Sequence, residues 1–128
     1  MTQRILVADQ DPQYLAMMQE LLLEEGYRDV CAVSQHELWG SIMHARPDLV
    51  MVDVNTAHGD DAWTVLKDLR SDCASADIPV VVCSTDARML REKSDWLRTM
   101  HCAILEKPFS LTQLSDAVRS CIGQPCAL

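Results

Sequence analysis

Nowhere in this sequence does an apolar run approach the ~20 residues that a membrane span needs, which excludes a transmembrane helix. Nor is a leader expected. The opening residues, MTQRILVAD, hold no long apolar core followed by a small-residue cleavage site, and they read as a first strand. The chain is therefore expected to stay in the cytoplasm, with no membrane partner. No CxxC pair occurs among the six cysteines at positions 31, 73, 83, 102, 121 and 126. Cys31 and Cys83 lie inside apolar, strand-like runs, so a disulfide framework is not expected and all the thiols should be reduced. His101, Cys102, Cys121 and Cys126 do not have the spacing of a zinc site. Positive charge is scarce as well, with 11 Lys and Arg against 19 Asp and Glu, a net charge of −8. Such a surface repels a phosphate backbone, so direct nucleic-acid binding is not expected, whereas a cation or a basic protein surface would suit it. There is no internal repeat, no low-complexity tract and no interior linker.

What remains is a chain of 128 residues, 48% hydrophobic and 23% charged, the size and composition of one globular domain. Short apolar runs alternate with longer amphipathic stretches. The strand candidates are Arg4–Ala8, Asp29–Val33, Leu49–Val52, Ile78–Cys83 and Ala103–Leu105. Four of the five lack polar alternation, the pattern of a parallel strand covered on both faces. Between them lie helix-period segments. Pro12–Glu25 carries an apolar stripe through Leu15, Met18 and Leu22 and stops at Gly26; Met17, Met18 and Leu21–Leu23 read as core. Ser34 and Glu37 have capping-box spacing for a second helix that runs to about His44, before Pro47. Asp61–Arg70 and Arg88–Met100 are the third and fourth helices, and Ser110 with Gln113 opens a last one to about Ile122. Five strand–helix units with right-handed crossovers predict a doubly wound (βα)5 α/β fold over residues 1–122, with 123–128 as a loose tail.

In an open parallel sheet, ligands bind beyond the carboxyl ends of the strands. Here the first strand ends in Asp9, Gln10 and Asp11, the third in Asp53, the fourth in Ser84 and Thr85, the fifth in Glu106 and Lys107. Sheet packing does not call for this collection. Asp11, just before Pro12, is best read as a helix cap. Asp53 differs, because it ends four apolar residues without starting a helix directly. The acids would repel one another unless a cation joined them, and oxygen ligands suit a hard ion such as Mg²⁺. A carboxylate so held, near a lysine and a hydroxyl, can attack phosphorus to give an acyl phosphate.

The stretches ILVADQDP, PDLVMVD, IPVVVCST and EKPF, in this order, make residues 3–122 resemble a response-regulator receiver domain of two-component signalling, similar to the chemotaxis regulators. The resemblance implies a flavodoxin-like, three-layered fold with strand order 2-1-3-4-5. It implies that Asp53 accepts a phosphoryl group from a sensor histidine kinase or phosphotransfer protein. Asp9, Gln10, Asp53 and the backbone carbonyl of Asn55 would hold Mg²⁺, Ser84 would follow the phosphoryl group, and Lys107 would neutralise it. The result is a phosphorelay switch, not an enzyme, that changes a protein–protein interaction surface for a downstream partner. The Lys107–Pro108 bond is expected to be cis.

The chain departs from the family pattern in several places. Gln10 replaces the second acid, so Mg²⁺ should bind more weakly and phosphorylation should slow; Asp11 could substitute in part. Ala57 stands where a proline is common, in a loop one residue longer than usual, and His58 reads as a solvated loop residue. Ile104 replaces the aromatic that normally reports phosphorylation, so the relay from Ser84 is in question. Trp39, Trp63 and Trp96 read as packing residues or partner anchors. The alternative these departures motivate is a receiver-like interaction module that works without phosphorylation. A flavodoxin-like flavin protein fits poorly, since the carboxylates of DQDP would repel the flavin phosphate.

Overall fold

The computed structural model describes residues 3–34, 37–54, 59–73 and 75–123, with backbone only for 59–62. Among these residues five strands, β1 (Arg4–Ala8), β2 (Asp29–Val33), β3 (Leu49–Asp53), β4 (Val80–Ser84) and β5 (Cys102–Glu106), alternate with helices. The helices are α1 (Pro12–Glu24), α2 (Leu38–Ala45), α3 (Gly59–Ser71), α4 (Ala87–Glu92), α5 (Ser94–Thr99) and α6 (Leu111–Ile122). All strand pairs are parallel and the sheet order is β2-β1-β3-β4-β5, the expected doubly wound arrangement.

Alternation along each strand divides the core in two. Leu6, Val50, Val52, Val80 and Val82 meet Leu38 and Ile42 of α2, Leu66 and Leu69 of α3, Leu90 of α4 and Leu97 of α5. On the opposite face Ile5, Val7, Met51 and Val81 meet Met18 and Leu22 of α1 and Leu114 and Val118 of α6. The apolar runs of β1, β3 and β4 are thus covered on both faces, as their composition predicts. β2 is not: only Val30 is fully buried, because it is an edge strand that the helix layers cover incompletely. β5, at the other edge, exposes Ile104 by 40%. Met17 and Leu23, expected in the core, also face outward.

The capping signals have mixed outcomes. Asp11 caps α1 by accepting from the Gln13 N–H at 2.9 Å, with Pro12 in the first turn. At α6 the capping box forms in full, Gln113 N–H to Ser110 Oγ at 3.1 Å and Ser110 N–H to Gln113 Oε1 at 2.8 Å. The box expected from Ser34 and Glu37 does not form. Instead the Glu37 N–H donates to the Ser34 carbonyl, and α2 begins at Leu38, which enters the core with Ile42. α2 ends at Ala45, with Arg46 left-handed at φ 48°. The single helix expected over 88–100 is broken at Lys93 into α4 and α5. This break seats Trp96 edge-on against Trp63 of α3, ring centroids 5.4 Å apart, with the Lys93 ammonium 5.5 and 5.7 Å from the two rings. Both tryptophans, and Trp39, pack against the core as expected.

β4 starts at Val80, two residues later than expected, because Arg70 takes the carbonyl of Ile78 at 2.6 Å. The five cysteines at 31, 73, 83, 102 and 121 are free thiols. No described helix is long and apolar enough to cross a membrane. Gly123 caps α6, and residues 124–128 of the expected tail lie outside the described residues.

Candidate functional site

Because every strand runs the same way, the residues that follow β1, β3, β4 and β5 meet on one edge. Main-chain bonds fix them there. Asp9 N–H donates to Val33 at 3.3 Å, Val54 N–H to Cys83 at 2.8 Å and Lys107 N–H to Ser84 at 2.7 Å, each continuing the ladder past the strand end. The Lys107–Pro108 peptide is cis, as expected.

The Lys107 ammonium is the centre of the arrangement. Nζ lies 2.7 Å from Asp53 Oδ1 and 3.1 Å from Asp9 Oδ2, joining carboxylates from two strands. Lys107 thus offsets part of the repulsion between these two acids. All three groups are withdrawn from solvent, with side-chain exposures of 14% for Lys107, 6% for Asp9 and 18% for Asp53. Burial pushes the Asp53 carboxyl above its ordinary pKa, against the opposing pull of Lys107. Burial would lower Lys107, but Asp53 and Asp9 outweigh it and hold the ammonium above the usual lysine value. Asp9 uses its other oxygen, Oδ1, to accept from the Asp11 N–H at 3.0 Å, which orients it toward Lys107.

Ser84 is fully buried at the end of β4, and its Oγ accepts from the Asp86 N–H at 3.0 Å. Asp86 in turn caps α4 by accepting from Met89 N–H at 3.0 Å, so the hydroxyl is tied to the start of that helix. On the neighbouring strand Cys83 pairs in register with Asp53, and burial pushes its thiol up to about 12, which keeps it neutral. Gln10, Thr85 and Glu106 are exposed at the rim, and Asp11 is committed to its cap. Asn55, Ala57 and His58 lie outside the described residues.

One neighbour was not singled out from the sequence. Tyr14, in the first turn of α1, places its ring centroid 3.6 Å from Lys107 Nζ. Burial raises the phenol's pKa, so it stays neutral. An aromatic three residues after the Asp11 cap was the available signal, but the ring–ammonium contact spans residues 14 and 107 and exists only once the sheet is assembled.

This arrangement can present a desolvated carboxylate nucleophile beside a fixed ammonium and a buried hydroxyl. The family model of the response regulator receiver domain matches residues 5–119. Sporulation initiation phosphotransferase F of Bacillus subtilis is 24% identical over 119 residues, covering 93% of both chains. The DNA-binding dual master transcriptional regulator RpaA of Synechocystis sp. is 30% identical over 117 residues, which cover 91% of this chain but 48% of that relative. Among solved structures, the chemotaxis protein CheY4 of Vibrio cholerae superposes with a TM-score of 0.81 at 20% identity, over 95% of this chain and 100% of that one. A sensor protein from Polaromonas sp. gives a TM-score of 0.81 at 23% identity, over 94% and 95% of the two chains. The fold, the convergence of Asp9, Asp53, Ser84 and Lys107 on one edge, and the match over residues 5–119 lead to one conclusion: the chain belongs to the response regulator receiver domain family of two-component signalling.

Proposed function

We propose that Asp53 accepts a phosphoryl group from a histidine kinase or phosphotransfer protein, and that the modification switches a surface read by a downstream protein. The observation that carries this reading is the Lys107 ammonium held between Asp53 and Asp9 at 2.7 and 3.1 Å. An Asp53 carboxylate oxygen attacks phosphorus, the O–P bond forms, and the bond from phosphorus to the donor nitrogen breaks with its electron pair leaving on nitrogen. Lys107 neutralises charge on the transferring oxygens, and the Ser84 hydroxyl, whose oxygen accepts from the Asp86 N–H, donates its own proton to one of them. The Bacillus subtilis relative, by its name a phosphotransferase, supports a role in phosphoryl transfer. A cytoplasmic site of action follows from that partnership.

Receiver domains bind Mg²⁺ at the phosphorylation site. In this chain Asp9 and Asp53 would hold the ion, with Gln10 and the Asn55 carbonyl completing the set, and it would supply further charge neutralisation on the phosphoryl oxygens. The donor set fits as hard oxygen ligands, but among the described residues two carboxylates converge, and both already share Lys107. Among the described residues no group of three or more His, Cys, Asp or Glu gathers as a metal site. Weak binding follows from that donor set.

The test is to incubate the protein with a small acyl-phosphate donor across a Mg²⁺ titration and to weigh it intact. Wild type gains one phosphoryl mass and Asp53→Asn gains none. Gln10→Asp reaches half-maximal labelling at lower Mg²⁺. A wild type that stays unlabelled at every Mg²⁺ concentration overturns the reading. It would favour instead an interaction module that works without phosphorylation, for which the exposed Gln10 and the exposed Ile104 speak.

A further inference from the structure

The Lys107 ammonium has three N–H donors and no acceptor capacity. Asp53 and Asp9 take two directions, and the face of Tyr14 lies 3.6 Å from the same nitrogen. A ring face is the negative pole of its quadrupole, and a cation this close to it is attracted most strongly where water is scarce. Lys107 is 14% exposed, so the contact is made largely out of solvent. Asp11 and Pro12 fix the start of the helix that carries the ring. Asp11 caps α1, Pro12 occupies the first turn, and the Asp11 N–H is itself bound by Asp9. One short segment therefore carries both an anion and an aromatic face to the same ammonium.

We infer that Tyr14 is a positioning residue for phosphoryl transfer, acting through Lys107. This inference rests on the phosphoryl-acceptor reading given above. When Asp53 becomes an acyl phosphate, its oxygen is no longer a full carboxylate partner for the ammonium. The ring and Asp9 then keep Nζ at the site, where it meets a phosphoryl oxygen, and stop the long lysine side chain from turning into solvent. Gln10 sharpens the need: with one fewer acid to hold a metal ion, more of the charge neutralisation falls on Lys107, and its placement matters more.

The experiment is a double-mutant cycle with two readouts. Labelling rates with an acyl-phosphate donor at fixed Mg²⁺ are measured for wild type, Tyr14→Leu, Tyr14→Phe, Lys107→Gln and Tyr14→Leu/Lys107→Gln. Tyr14→Leu is expected to slow labelling about fivefold, the scale of one partly desolvated cation–π contact. Tyr14→Phe, which keeps the ring, restores most of the rate. In the Lys107→Gln background the Tyr14→Leu change has no further effect. The second readout is the NMR shift of the Lys107 ε-methylene protons in unphosphorylated protein, moved upfield by the ring in wild type and Tyr14→Phe but not in Tyr14→Leu. Equal loss from Tyr14→Leu with and without Lys107 overturns the inference, as does an ε-methylene shift unchanged by Tyr14→Leu. These failures leave wild-type labelling intact, whereas failure of the acceptor reading shows as wild type that never labels.

Discussion

Asp53 is held where its charge is costly. Burial is the dominant influence on its carboxyl and raises its pKa, and Asp9 adds repulsion, while Lys107 offsets part of both. A group whose folded-state pKa lies above its unfolded value of 3.8 favours folding when protonated. That contribution is present below pH 3.8 and is lost as the pH rises through the folded-state pKa, so at neutral pH the ionised group opposes folding. Asp53→Asn removes the charge but leaves a carbonyl oxygen for Lys107, and Asp9 still balances the ammonium. The variant should therefore be more stable than wild type at pH 7 by about 1 kcal/mol, the scale of relieving a strained functional position. The gap should shrink as the pH falls toward 4. Paired thermal melts at the two pH values check this, and a variant that melts lower at pH 7 contradicts it. At this scale the strand-end residues Asp9, Asp53, Ser84 and Lys107 were legible, because parallel strands must bring their carboxyl ends together. What was not legible was that Lys107 itself joins the acids, or that Tyr14 covers it, since these are contacts between residues more than fifty positions apart.

Whole elements are held by similar side-chain anchors, and Arg70 is one of them. From the last turn of α3 its guanidinium donates to the carbonyls of Met100 at 2.7 Å, Ala76 at 3.1 Å and Ile78 at 2.6 Å. It thereby ties α3 to the approach to β4 and to the turn between α5 and β5, at the edge of the sheet opposite Asp53. Arg70→Ala leaves those carbonyls without their charged donor and should cost about 2–4 kcal/mol in chemical denaturation, since hydrogen bonds to charged groups are worth more than neutral ones. Arg70→Lys should recover only part, because an ammonium cannot spread its donors over three carbonyls as a planar guanidinium does. A stability loss below about 0.5 kcal/mol for Arg70→Ala would show that solvent serves the carbonyls equally well. Arg70 also explains why apolar composition alone placed the start of β4 two residues early: Ile78 is apolar but its carbonyl is claimed by a side chain. The break at Lys93 escaped the sequence for a related reason. Residues 88–100 carry a continuous helical pattern, and the break coincides with the packing of Trp96 against Trp63, a contact between distant segments.

At the scale of the molecule, one sheet is shared by two cores that do not touch. Odd-numbered positions of β1, such as Ile5 and Val7, face α1 and α6, whereas Leu6 and Ala8 face the layer of α2, α3, α4 and α5. The site draws on both layers: Asp9 and Tyr14 belong to the approach to α1 and its first turn, Lys107 to the approach to α6, and Ser84 to the approach to α4. The sheet between the layers is what brings Tyr14 and Lys107 from distant segments into contact. If the sheet separates the cores in this way, small cavities made on its two sides should not sense each other. Ile5→Val removes one methylene from the α1/α6 core and Ile42→Val one from the other, each at a cost of about 1 kcal/mol. Residues without shared partners should add, so the double variant should lose about 2 kcal/mol, within about 0.5 kcal/mol of the sum of the singles. Urea titrations of the four proteins measure this directly, with the slopes checked for equality so that stability alone is compared. A coupling well above that margin would mean that the strands flex enough to carry strain from one layer to the other. The same flexing would loosen the placement of Lys107 between Asp9 and Asp53 whenever either core was disturbed.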